Sequence, residues 1–190
     1  MKLVDRILQR WRIRKAAPFI RRGDRLLDVG CFDTSLIDAV RPRLASAAGI
    51  DPLAEPATRD GITIHRGSIP GAHPFGPGDF DAITMLAVLE HIRDTDGLAR
   101  ECFRLLAPRG RVIITVPSPS VDHILAVLRF LRLIHGMSLE EHHGYDIRQT
   151  PAVFERAGFH LHRRASFQLG LNHLFVFEKP AEGSGEIAVA

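Results

Sequence analysis

RLLDVGCFDTSL, residues 25–36, decides the architecture of this chain. A short apolar run ends at Asp28 and Val29, turns at Gly30, and enters a helix whose cap is expected at Thr34 or Ser35. Strand, tight glycine turn and helix N-terminus in this order form the opening unit of a nucleotide-type α/β domain. A dinucleotide fingerprint needs three glycines so that the backbone can approach a pyrophosphate. Here Phe32 and Thr34 stand at the later positions of a D-x-G-x-G-x-G pattern. A ligand with no pyrophosphate needs less clearance.

Downstream, a second apolar run, ASAAGID (residues 45–51), ends in Asp51. An acid at the end of a second strand sits where it can accept hydrogen bonds from both ribose hydroxyls of an adenosine. An Asp followed by Pro52 can also simply form a turn. Three further blocks follow: FDAITMLAVLEHI (80–92), LLAPRGRVIITVPSP (105–119) and RQTPAVFERAGF (148–159).

These blocks, in this order and spacing, resemble the class I S-adenosylmethionine-dependent methyltransferases, with a type 11-like domain, over about residues 20–179. The first stretch resembles that family's DVGCGxG motif, and the later blocks resemble its fourth strand, its fifth strand and its late helix. The resemblance implies a Rossmann-like, seven-stranded, mostly parallel sheet in a single domain, closed by an antiparallel C-terminal hairpin. It implies S-adenosylmethionine as cofactor. Asp28 and Gly30 are then expected at the methionine end, with Phe32 in the same loop and Asp51 and Pro52 at the ribose. Gly67, Ser68 and Ile69 are expected at adenine, with Ser68 replacing a more usual acid. Met85, Leu86 and Ala87 are expected under the methionine and the reacting methyl.

The chain of 190 residues suffices for one domain with a sizeable core. No apolar run approaches the roughly 20 residues that span a bilayer, and the N-terminal segment lacks the apolar stretch of a secretory signal. Two cysteines, Cys31 and Cys102, make no disulfide framework, so the expected setting is the cytosol. Charge is uneven: residues 1–25 hold nine Lys/Arg and two Asp, a net of +7 within a chain of net +3. A nucleic-acid binder more often spreads a basic stripe over its body, so no nucleic-acid partner is expected.

Strands are expected over 25–29, 46–50, 62–66, 81–86 and 111–116, with helices over 35–40 and 95–106. Residues 107–110 read as a turn, and a hairpin is expected from 160–166 and 172–179 around a turn at 168–170. Prolines and glycines leave the connections 52–61 and 68–78 with little room for helix. Residues 1–19 read as a basic amphipathic segment, helical to Ala17, with Pro18 ending or kinking the helix. That helix either packs on the domain with its arginines in water, or makes peripheral contact with an anionic membrane through residues 1–17 or covers the substrate. Residues 118–147 contain an apolar helix over 121–135, and the resemblance implies that they form a lid-like insertion on the substrate side. This helix caps the core, walls an apolar substrate, or forms a dimer or membrane face. Residues 180–190 read as a disordered tail.

Methyl transfer is an in-line displacement at a sulfonium methyl, so alignment and exclusion of water dominate. A base is needed only for a protonated acceptor. His91 is the first candidate for it, with a structural role in its loop as the alternative. The cluster at 140–146 offers His142, His143, Tyr145 and Asp146, which either bind or deprotonate an acceptor or form a solvated loop. No metal is expected, because adjacent histidines do not easily converge on one ion. The expected acceptor is a small molecule, amphiphilic or lipid-like. A nicotinamide oxidoreductase of the short-chain type would want Tyr-x-x-x-Lys, but Gln149 stands four residues after Tyr145. A methyltransferase-like binding subunit with a weakened cofactor site is the remaining alternative, suggested by Phe32 and Thr34.

Overall fold

Alternation of side chains explains the central strands. In β1 (Arg25–Val29), Leu26 packs into one hydrophobic cluster and Leu27 into another. Ala82 and Ile83 of β5 (Phe80–Leu86) divide the same way. Successive side chains of a strand face opposite sides, so each strand is buried on both faces and reads as a continuous apolar run. The chain is represented by a computed structural model that describes residues 3–118 and 146–181.

The sheet has eight strands in the order β3-β4-β2-β1-β5-β6-β8-β7. The others are β2 (Ser46–Asp51), β3 (Ala57–Arg59), β4 (Ile62–Arg66), β6 (Leu106–Pro117), β7 (His160–Phe167) and β8 (Asn172–Glu178). Five strands from β4 to β6 run parallel, while β8 and β7 return antiparallel. The expected fold class holds, with one strand more than the seven anticipated. The addition is β3, which pairs antiparallel with β4 inside the trimmed connection after Pro52. Its three residues carry no apolar alternation that would announce a strand.

One face of the sheet is covered by α1 (Leu3–Ala16) and α2 (Ser35–Val40), through Ile13, Ala16, Leu36, Ile37 and Val40. The other is covered by α3 (Thr95–Leu105) and α4 (Thr150–Arg156), through Leu98, Ala99, Cys102, Val153 and Phe154. Asp94 caps α3 by accepting the Gly97 amide at 2.7 Å. Pro18 sits in a short 3-10 turn, Ala17–Phe19, after the first helix has ended.

One boundary differs clearly from expectation. Residues 107–110 fall inside the span of β6 instead of forming a separate turn. The β5–β6 register shifts between Phe80 and Ala82, and Arg109 takes a left-handed φ of +62°, so the turn survives as an irregularity within the strand. In β7, a second shift falls between Leu161 and Arg163. The residues 119–145 and 182–190, with the expected apolar helix, most of the insertion and the tail, lie outside the described residues.

Candidate functional site

The sheet's connections depart in opposite directions on either side of β1, which pairs with β2 on one side and β5 on the other. At such a switch point the carboxyl ends of parallel strands open a crevice. A cavity of about 660 Å3 lies there, within the roughly 300–1,000 Å3 usual for small-ligand sites.

Its floor comes from the strand ends. After β1, Gly30 donates its amide to the Ile50 carbonyl at 2.8 Å, joining the first loop to β2. Gly30 has φ +75°, and a Cβ there would lie 2.4 Å from Cγ2 of Val88. Glycine is therefore demanded both by backbone conformation and by the loop after β5. Phe32 and Thr34, with φ of +22° and +57°, also occupy the left-handed region. The glycine-type path of the loop persists although two of its glycines do not. Thr34 does not cap α2 with its hydroxyl, which instead donates to Asp38 at 2.9 Å. Asp33 takes that place, accepting the Ser35 amide at 3.1 Å.

Two buried carboxylates stand over this floor. Asp28 accepts the Thr84 hydroxyl at 2.7 Å. Burial lifts its pKa to about 7 against the opposing effect of that hydrogen bond, and the charges of Asp33 and Asp51 lift it further. Asp51 ends β2 and accepts the Leu53 amide at 2.7 Å, and its own carbonyl accepts the Gly67 amide at 3.2 Å. Burial, chiefly, pushes the Cys31 thiol up to about 12, so it stays protonated and is no nucleophile at neutral pH.

The structure brings together most of the residues singled out above. Asp28, Gly30, Phe32, Asp51 and Pro52 line the cavity, as do Gly67, Ser68 and Ile69 after β4 and Leu86 and Ala87 at the end of β5. His91 also lines it, exposed at the end of a 3-10 turn, Leu89–His91. Met85 is the exception: it is fully buried in the core on the α3 face and is not part of the lining. Strand alternation turns it away while its neighbour Leu86 reaches the cavity. His143 and Tyr145 lie outside the described residues. Asp146 caps the turn Ile147–Gln149 and pairs with Arg148 at 2.9 Å.

The sequence offered α1 as a possible cover for the substrate but singled out none of its residues for the site. Gln9, Arg12 and Ile13 line the cavity. Gln9 donates to both carboxylate oxygens of Asp33 (2.9 and 3.1 Å), and Arg12 Nε donates to Asn172 Oδ1 at 3.3 Å. The helix is thus fastened to the glycine loop at one point and to the C-terminal hairpin at another. Arg12 is the one Lys or Arg on the wall among the described residues. Thr84, too, was unassigned, though a hydroxyl within AITML was a signal that this strand carried more than core. Among the described residues no group of His, Cys, Asp and Glu is arranged to hold a metal, and no helix is long and apolar enough to cross a membrane.

The family described as "methyltransferase domain" matches residues 3–163. This chain belongs to that family. The methyltransferase domain is 34% identical over 102 residues to a ubiquinone biosynthesis O-methyltransferase of Pseudomonas aeruginosa (strain LESB58), a match covering 49% of this chain and 44% of the relative. The chain therefore spans less than half the length of that curated relative. Among solved structures it superposes on a chain from the complex of the Haloferax volcanii Trm112 methyltransferase activator with its methyltransferase partner, with a TM-score of 0.69, 15% identity and 90% coverage of both chains. It also superposes on an S-adenosylmethionine-dependent methyltransferase from Mesorhizobium loti, with a TM-score of 0.65, 15% identity and coverage of 87% and 96%. At these identities the structural likeness establishes the fold. Family membership implies S-adenosylmethionine, and the donor set of the methyltransferase domain fits it. There are two buried carboxylates for a cationic nucleoside and a first loop packed so closely that a Cβ at residue 30 would collide with Val88 of the cavity wall.

Proposed function

We propose that the domain transfers a methyl group from S-adenosylmethionine to an oxygen of a small, amphiphilic acceptor. The observation that carries this reading is the placement of buried Asp28 and Asp51, on adjacent strand ends, in one cavity at the switch point of the sheet. When bound, the cofactor supplies a methyl on a positively charged sulfur that leaves as a neutral thioether. The tasks left to the chain are holding, aligning and drying.

Asp51 receives the ribose hydroxyls, and Gly67, Ser68 and Ile69 shape the adenine end. Asp28, held in place by the Thr84 hydroxyl, faces the ammonium group, and Arg12 takes the carboxylate at the same end. Oxygen as the accepting atom draws support from the curated relative named as an O-methyltransferase. A hydroxyl acceptor must lose a proton, and His91, exposed on the cavity wall, is the candidate to receive it. His143 and Tyr145 remain candidates on the acceptor side.

Calorimetric titration with S-adenosylmethionine, S-adenosylhomocysteine and NAD tests the reading. Micromolar binding of the first two and none of NAD is expected. A second reading, a binding subunit without catalysis, rests on Phe32 and Thr34. The retained left-handed backbone at both positions argues against it. Failure of all three ligands to bind would bring it forward.

A further inference from the structure

The outer face of α1 sets exposed apolar side chains beside cations. Ile7 and Trp11, one helical turn apart, are 46% and 51% exposed, and Lys15 continues their row. Beside it runs a second exposed row, Arg6, Arg10 and Arg14, at the same spacing. The opposite face of the helix is committed to the body through Ile13 and Ala16, and to the cavity through Gln9 and Arg12. The outer strip is therefore not held in place by core packing. An exposed tryptophan and isoleucine between four cations match the chemistry of a lipid interface, where an aromatic ring sits at headgroup level and cations meet anionic phosphates.

We propose that this face of α1 docks the domain on an anionic membrane surface. The charge distribution favours lipid over nucleic acid. Residues 1–25 carry +7, and with a whole-chain charge of +3 the remainder carries −4, which repels a polyanion that has to wrap the body but not a flat surface met by one helix. Docking sets the cavity mouth beside the bilayer, because the helix that touches lipid also forms the cavity wall. The inference does not depend on the methyl-transfer reading.

Trp11 is the only tryptophan in the chain, so its emission reports the contact directly. The full chain is mixed with vesicles of phosphatidylcholine alone and of phosphatidylcholine with phosphatidylglycerol. Fluorescence and flotation are then followed. A blue shift and flotation are expected with the anionic vesicles only, and both are expected to vanish at high salt. Each exposed cation contributes about fivefold to partitioning, so R6E/R10E/R14E abolishes flotation, and W11A weakens it. All of these side chains are exposed, and circular dichroism with thermal melts checks that the variants remain folded. No shift on anionic vesicles, or flotation of the triple variant equal to wild type, overturns the proposal. So does tight binding of single-stranded RNA lost in the triple variant, with vesicles ignored.

Discussion

Asp28 and Thr84 are register partners on adjacent parallel strands, and the threonine hydroxyl reaches Oδ1 of the aspartate at 2.7 Å. The pair places one acceptor-rich carboxylate, almost out of water, at the floor of a cavity that also holds Asp33 and Asp51. An isolated buried carboxylate resists ionisation until a cation arrives.

The first prediction concerns pH. With a pKa lifted to about 7, Asp28 is partly protonated near neutrality. A bound cation holds it ionised. Affinity for S-adenosylmethionine is expected to rise between about pH 6 and 8, with proton release on binding. Calorimetry in buffers of different ionisation enthalpy measures that release. A pH-independent affinity contradicts the assignment.

The same shift has a cost in the ligand-free fold. The native state holds this proton more tightly than the unfolded chain, so the contribution is fully present below about pH 4 and is lost as pH rises through about 7. Asp28→Asn keeps an acceptor for Thr84 and removes the ionisation. At pH 8 it is expected to stabilise the free protein by about 1–4 kcal/mol while weakening S-adenosylmethionine binding at least about tenfold. Thermal melts beside titrations separate the two effects.

Gly30→Ala meets two obstacles, the left-handed φ of +75° and the 2.4 Å approach to Val88. A loss of about 2–4 kcal/mol and of cofactor binding is expected. Combining it with Val88→Ala relieves the collision but leaves about 1–2 kcal/mol of backbone cost. Urea unfolding of the single and double variants tests this partition.

Phe32 is 67% exposed at a position where glycine relaxes the backbone. Phe32→Gly is expected to change stability by no more than about 1 kcal/mol, in the stabilising direction, since relief of the left-handed cost outweighs the added freedom of the unfolded chain. Cofactor affinity is expected to stay within about threefold, under 1 kcal/mol. A large loss of binding would mean that the ring itself contacts the ligand.

Arg12 offers a test by ligand truncation. Arg12→Gln is expected to weaken S-adenosylhomocysteine about tenfold or more, the scale of a charge-assisted hydrogen bond. Methylthioadenosine has no carboxylate and is expected to bind the variant as it binds wild type. Equal losses for both ligands point to a displaced helix and not to a missing charge.

The frame of the site was legible in the sequence because it depends on local rules. Strand alternation, the turn at Gly30 and the acids ending two strands place Asp28 and Asp51 at the same edge. Contacts between distant segments were not legible. Nothing near Arg12 in the chain announces Asn172, 160 positions away, and nothing near Gln9 announces Asp33. Phe32 and Thr34 read as lost glycines because residue type was taken for conformation, yet the fold holds both residues in the glycine region. Strand β3 escaped notice because all three of its residues are exposed, and an exposed strand carries no apolar signature.

The outermost strands have a bearing on self-association. Unpaired strand edges invite a second molecule to add its own strand. At one rim, β3 is three residues long, too short to template a partner, and its Arg59 is tied back to Asp38 at 3.1 Å. At the other rim, the irregularity near Leu161 breaks the ladder, and His160, His162, Arg163 and Arg164 stand exposed around it. Stacking two such rims would press cation against cation and misalign the hydrogen-bond ladder. Each edge thus carries its own defence against cross-β aggregation, independent of whatever occupies the cavity.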